Sequence, residues 1–126
     1  MKYEDITRKI IGSAMTVHSS LGSGFQEVIY QRALSIEMRY GGLNFEREKN
    51  MEIFYRNEKI GTRRADFFVE NCIMVEIKAV GELKDEHMAQ AINYLEAYQM
   101  EIGLLLNFGS LSLGHKRLYN KKYRVD

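Results

Sequence analysis

The chain has 126 residues, 45% of them apolar and 28% charged, with a formal net charge of +1. That balance fits a single globular domain over residues 1–126 with a sizeable core; it excludes a disordered chain and leaves any basic surface a local matter. One cysteine, Cys72, excludes a disulfide framework, a multi-cysteine zinc site and a four-cysteine iron–sulfur cluster held by this chain alone. No apolar run approaches the length of a membrane span and no signal-peptide pattern opens the chain, so no membrane partner is expected and the cytoplasm is the expected compartment.

Ile6, Ile10, Ala14, Val17 and Leu21 recur every three or four positions, which predicts a first helix, broken at Gly22-Ser23-Gly24. A second helix is expected from Phe25 to Tyr40, stopped by Gly41-Gly42. It has two stripes: Ile29, Ala33, Ile36 and Tyr40 form an apolar one, and Glu27, Tyr30 and Leu34 form another. Asn44 to Lys49 reads as an extended lead-in, and Met51–Arg56 with Lys59–Arg64 as a hairpin turning near Asn57-Glu58. Two further strands follow within Arg64 to Lys78. After Gly81 the spacing of Met88, Ala91, Ile92, Leu95 and Tyr98 is helical again, with Asp85 and Glu86 in the first turn where the helix dipole favours them. Ile102 to Phe108 reads as a fully buried strand, and a short basic tail carries Lys116, Arg117, Lys121, Lys122 and Arg124. One mixed sheet flanked by helices accounts for this order, an α/β fold.

The chemistry lies in the central ribbon. Asp66 interrupts one apolar strand, and Glu76 and Lys78 interrupt the next; charges in buried strands need partners. Glu76 and Lys78 are two apart and leave the same face, while Ile73, Val75 and Ile77 occupy the other. A two-residue turn at Glu70-Asn71 would set Asp66 opposite Val75, on the wrong face. A three-residue loop from Glu70 to Cys72 would set it opposite Glu76, and an odd-numbered loop or bulge is therefore expected. Converged, Asp66 and Glu76 supply hard oxygen ligands suited to Mg²⁺ or Mn²⁺, with Lys78 beside them to stabilise charge on a phosphate. A buried ion-pair triad without a metal is the structural alternative.

Further motifs surround the ribbon. Gly24-Phe-Gln-Glu27-Val-Ile-Tyr30 reads as GxxExxY, and with Asp66, Glu76-Ile-Lys78, Gln90-Ala-Ile-Asn-Tyr94 and Leu106-Asn-Phe-Gly109 it resembles the GxxExxY protein family from about Ile6 to Arg117. That family is similar to a compact PD-(D/E)XK nuclease close to RecB-type domains. The resemblance implies a restriction-endonuclease-like fold with an αβββαβ core and a Mg²⁺-dependent (or Mn²⁺-dependent) phosphodiesterase site. It implies Asp66 and Glu76 as metal ligands, Glu27 as an acid reaching the metal directly or through water, and Lys78 as the catalytic lysine. Gln90 and Tyr94 match the QxxxY motif that orients the site or the nucleic-acid backbone. Tyr30 is expected to pack beneath the site, and His87 is expected to be a solvent-exposed side chain.

The function expected is therefore an enzyme, a metal-dependent nuclease in which a metal-activated water attacks the phosphodiester of nucleic acid, DNA in preference to RNA; a homo-oligomer is allowed. The alternative is a non-catalytic nucleic-acid- or protein-binding module that keeps the fold. Arg47, Lys49, Arg56, Lys59, Arg63 and Arg64, with the basic tail, could give nucleic acid a positive approach; equally, the tail could be a solvated edge strand.

Overall fold

A computed structural model of the chain describes residues 3–124. Two helices come first, α1 (Glu4–Leu21) and α2 (Glu27–Tyr40), then strands β1 (Phe45–Tyr55), β2 (Glu58–Val69) and β3 (Ile73–Lys78). Helix α3 (Asp85–Ala97) leads into β4 (Ile102–Asn107) and β5 (Gly114–Tyr119). The five strands form one mixed sheet in chain order. Only β3 and β4 are parallel, because α3 carries the chain back across the sheet between them.

Each face of the sheet has its own core. On one, Ile10, Ala14 and Val17 of α1 and Tyr30, Leu34 and Met38 of α2 pack on Phe67, Val69, Ile73, Val75, Ile77, Leu104 and Leu106. On the other, Ala91 and Leu95 of α3 pack on Phe68, Met74, Leu105 and Leu118. Strands β3 and β4 are covered on both faces, which is why they read as near-continuous apolar runs. No described helix is long and apolar enough to cross a membrane.

Helix α2 docks by a different stripe from the apolar one in its sequence. Tyr30, Leu34 and Met38 are fully buried, whereas Ile29, Ile36 and Tyr40 are exposed, Tyr40 at 85%. The Tyr30 hydroxyl decides the rotation: it donates to the carbonyl of Gly22 and accepts the Phe25 N–H at 3.1 Å, while its ring stacks on Phe108 with centroids 4.6 Å apart. Tyr30 thereby pins the glycine turn to the core. The helix ends with Gly42 in the left-handed region (φ +79°), where the Leu43 N–H reaches back to the Met38 carbonyl at 3.0 Å.

Strand β1 takes in the whole of 45–55, so the expected lead-in and first hairpin strand are one element. Its two-residue turn falls at Arg56-Asn57, one residue earlier than expected; both have positive φ (48° and 65°), the geometry that suits the twist of a hairpin. The basic tail is in part a strand: His115, Lys116 and Arg117 lie in β5, which pairs with β4 and forms one edge of the sheet. His115 and Lys116 are exposed on that edge, as a solvated edge strand requires.

Candidate metal centre at a strand fork

Strand β2 pairs with β3 only over Phe67–Val75, Phe68–Met74 and Val69–Ile73. Beyond that point β2 continues beside β1, and β3 continues beside β4. The site lies in the fork. Val69 faces Ile73 across a three-residue loop, closed by a Cys72 N–H to Val69 carbonyl bond of 3.1 Å. Glu70 and Asn71 take positive φ (51° and 56°) to make it, and the Glu70 carboxylate accepts the Asn44 N–H at 2.6 Å. Continuing that register by one residue sets Asp66 across from Glu76, as the odd-numbered loop requires.

Asp66 replaces the missing ladder partner with its own side chain. Its Oδ2 accepts the Ile77 N–H at 2.8 Å, and its Oδ1 accepts Nε2 of Gln31, from α2, also at 2.8 Å. Glu76 is only 3% exposed, with Arg63 Nη2 at 3.3 Å from Oε2. Burial raises its pKa first, and the neighbouring Asp66 carboxylate adds to it. Arg63 and Lys78 pull the other way, and the balance stands at about 8. Near neutral pH Glu76 therefore retains a proton. Lys78, half-buried, lies two residues on along the same strand.

The atoms left over test whether a cation fits. Glu76 Oε1 and Gln31 Oε1 are both buried with no hydrogen-bond partner. Such groups are costly to bury unpaired, and a hard divalent cation is what oxygen acceptors of this kind satisfy. Asp66 and Glu76 fit the group; a cation would replace the proton and supply the missing partner. Among the described residues no three His, Cys, Asp or Glu side chains come together, so Glu27 does not complete a three-acid cluster. It is exposed in the first turn of α2, one turn before Gln31. The side chain that α2 delivers to Asp66 is Gln31.

Helix α3 contributes unevenly. Gln90 is exposed. Tyr94, one turn on, is half-buried and carries the Arg63 guanidinium on its ring, with Cζ 4.1 Å from the centroid. His87 is occupied in capping, since its Nδ1 accepts the Lys84 N–H at 2.9 Å. The Asn107-Phe-Gly109 segment is a bracket for the chain leaving β3. Asn107 is buried, accepts the N–H groups of Val80 and Gly109, and donates to the Val80 carbonyl. Phe108 N–H donates to the Lys78 carbonyl at 2.9 Å. A Cβ on Gly109 would lie 2.4 Å from the Val80 backbone, so only glycine lets the two segments approach this closely.

A family model described as the PD-(D/E)XK nuclease superfamily matches residues 4–118. The chain belongs to this superfamily. Nucleases of this superfamily typically use divalent metals, in keeping with the unpaired oxygens of the fork. A crystal structure, that of SSO0001, superposes with a TM-score of 0.58 at 24% identity, over 94% of this chain and 59% of that one, and supports the fold. The chain thus spans less than two thirds of that protein's length. No curated protein matches.

Two residues of the fork, Gln31 and Arg63, lie outside the acid, lysine and QxxxY motifs. Gln31 follows Glu27 by one helical turn, so the same spacing that grouped Glu27 with Tyr30 could have reached it. Arg63 lies three residues before Asp66, among several arginines and lysines that look alike. What sets it apart is visible only in three dimensions. Lys49, Lys59 and Arg64 pair with the surface carboxylates of Glu46, Glu52 and Glu48, and Arg63 alone of these pairs with Glu76.

Proposed function

We propose that the chain is a metal-dependent nuclease of the GxxExxY type, hydrolysing phosphodiester bonds of DNA in preference to RNA. The observation that carries this reading is the Asp66–Glu76 pair, with an unpaired buried oxygen on Glu76, beside Lys78. Asp66 and Glu76 would hold Mg²⁺ or Mn²⁺. A divalent cation there supplies Lewis acidity, polarising a phosphoryl oxygen and activating water. Gln31 and the Ile77 N–H fix the Asp66 carboxylate so that it meets the cation without reorganising. Lys78 orients the attacking water and stabilises charge developing on the phosphate. Glu27, exposed in the first turn of α2, would reach the cation through water. Gln90 and Tyr94 act on the nucleic-acid side, Tyr94 through Arg63. The preference for DNA rests on the resemblance to RecB-type domains. The single-domain reading of residues 1–126 is supported by one sheet that carries both cores, and the cytoplasm remains the proposed compartment.

The test is direct. Purified protein with Mg²⁺ or Mn²⁺ should cut DNA, and Asp66→Asn and Lys78→Ala should each abolish cutting. Mn²⁺ should raise the melting temperature of the wild type but not that of Asp66→Asn. If neither DNA nor RNA is cut, the nuclease reading fails; cation-independent, salt-sensitive binding would then identify a binding module.

A further inference from the structure

Arg63 stands outside the acid–lysine set, yet its guanidinium is built into the site. One side lies on the Tyr94 ring at 4.1 Å, and Nη2 touches Glu76 Oε2 at 3.3 Å. That single contact is long for a charge-assisted bond and uses one of five donors. Nε is buried and unpartnered, and the side chain as a whole is 30% exposed, so the residue can be reached from solvent. Lys49, Lys59 and Arg64 of the same ribbon pair with surface carboxylates. Arg63 is different: its acidic partner is one of the two that would hold the cation, and a cation there would compete for that carboxylate.

We infer that Arg63 binds a non-bridging phosphate oxygen of the nucleic acid, and that Tyr94 is a positioning residue whose ring, not its hydroxyl, seats the guanidinium. This rests on the nuclease reading of the same site and adds a ligand to it. A planar guanidinium suits phosphate oxygens, and an aromatic platform holds it in one orientation without consuming its N–H donors. Glu76 holds the guanidinium at the fork until the substrate arrives. Tyr94 thus serves phosphate recognition from beneath the arginine.

Four single variants and one double decide it, each first checked by circular dichroism for folding. With a DNA substrate and Mn²⁺, Arg63→Ala should lose about 10²-fold in kcat/KM, the scale of one lost donor to a reacting phosphate. Arg63→Lys, which keeps charge but not the fork, should recover only part of it. Tyr94→Phe, which keeps the ring, should retain more activity than Tyr94→Leu, which should fall with Arg63→Ala. The double variant Arg63→Ala/Tyr94→Leu should be no worse than Arg63→Ala alone, since both remove one function. In parallel, binding of a fluorescein-labelled oligonucleotide is followed by anisotropy across a salt series in Ca²⁺. Arg63→Ala should weaken it and lower the salt slope by about one phosphate contact. Wild-type cutting and binding by Arg63→Ala overturns the inference, as does a Tyr94→Phe variant as impaired as Tyr94→Leu. If the wild type binds but does not cut, the nuclease reading has failed and the anisotropy arm alone decides Arg63. If it neither binds nor cuts, both fall.

Discussion

Replacing Glu76 with glutamine should stabilise the cation-free protein, by an amount that grows with pH. Burial and the Asp66 carboxylate lift the pKa of Glu76 from 4.5 to about 8. The folded state therefore holds this proton more tightly than the unfolded chain. The stability so contributed is complete below about pH 4.5 and is lost as the pH rises through about 8. That window corresponds to ~5 kcal/mol in total, at no more than ~1.4 kcal/mol for each pH unit, and to ~3 kcal/mol by pH 7. Glutamine fills the same space and carries no charge to desolvate. Urea unfolding of both proteins in EDTA at pH 5, 6, 7 and 8 measures the effect, and other titrating groups cancel in the difference. The advantage of Glu76→Gln should widen by several kcal/mol over the series. Saturating Mn²⁺ should reverse the order, because the wild type gains a ligand and the variant does not. A difference that stays constant with pH in EDTA would refute the argument.

Two further variants probe the scaffold that presents the fork. Gly109→Ala drives a methyl group into the Val80 backbone at 2.4 Å and should cost roughly 3 kcal/mol by urea titration, with Lys78 displaced and cutting lost even where the protein remains folded. Tyr30→Phe removes the bonds to Gly22 and Phe25 but keeps the stack on Phe108. It should cost about 1–2 kcal/mol and leave the Mn²⁺ shift in melting temperature intact.

Much of this architecture is legible in the sequence because it rests on period and on charge in apolar surroundings. The stripe of α1, the run of β4 and the positions of Asp66, Glu76 and Lys78 are of that kind. So is the loop at residues 70–72, whose length follows from asking that two acids share a site. The rotation of α2 is not legible. Ile29, Ala33, Ile36 and Tyr40 have the same helical spacing as Tyr30, Leu34 and Met38, and nothing local ranks them; a hydroxyl meeting the Gly22 carbonyl does. The same rotation sends Gln31 toward Asp66 and leaves Glu27 in solvent. Arg63 was hidden for another reason. In a ribbon rich in basic residues, what distinguishes one arginine is the carboxylate it meets across the fork.

The loop joining β2 to β3 has a consequence for how such a chain can change. None of Glu70, Asn71 and Cys72 belongs to the proposed chemistry, and residues that tolerate positive φ, such as glycine or asparagine, can replace the first two. Their number is another matter. Side chains alternate along a strand, so losing or gaining one residue would turn either Asp66 or Glu76 toward the opposite core. Descendants of this sequence should therefore keep the length of that loop fixed even where its residues change. A segment with no side chain in the proposed chemistry is constrained in its number of residues.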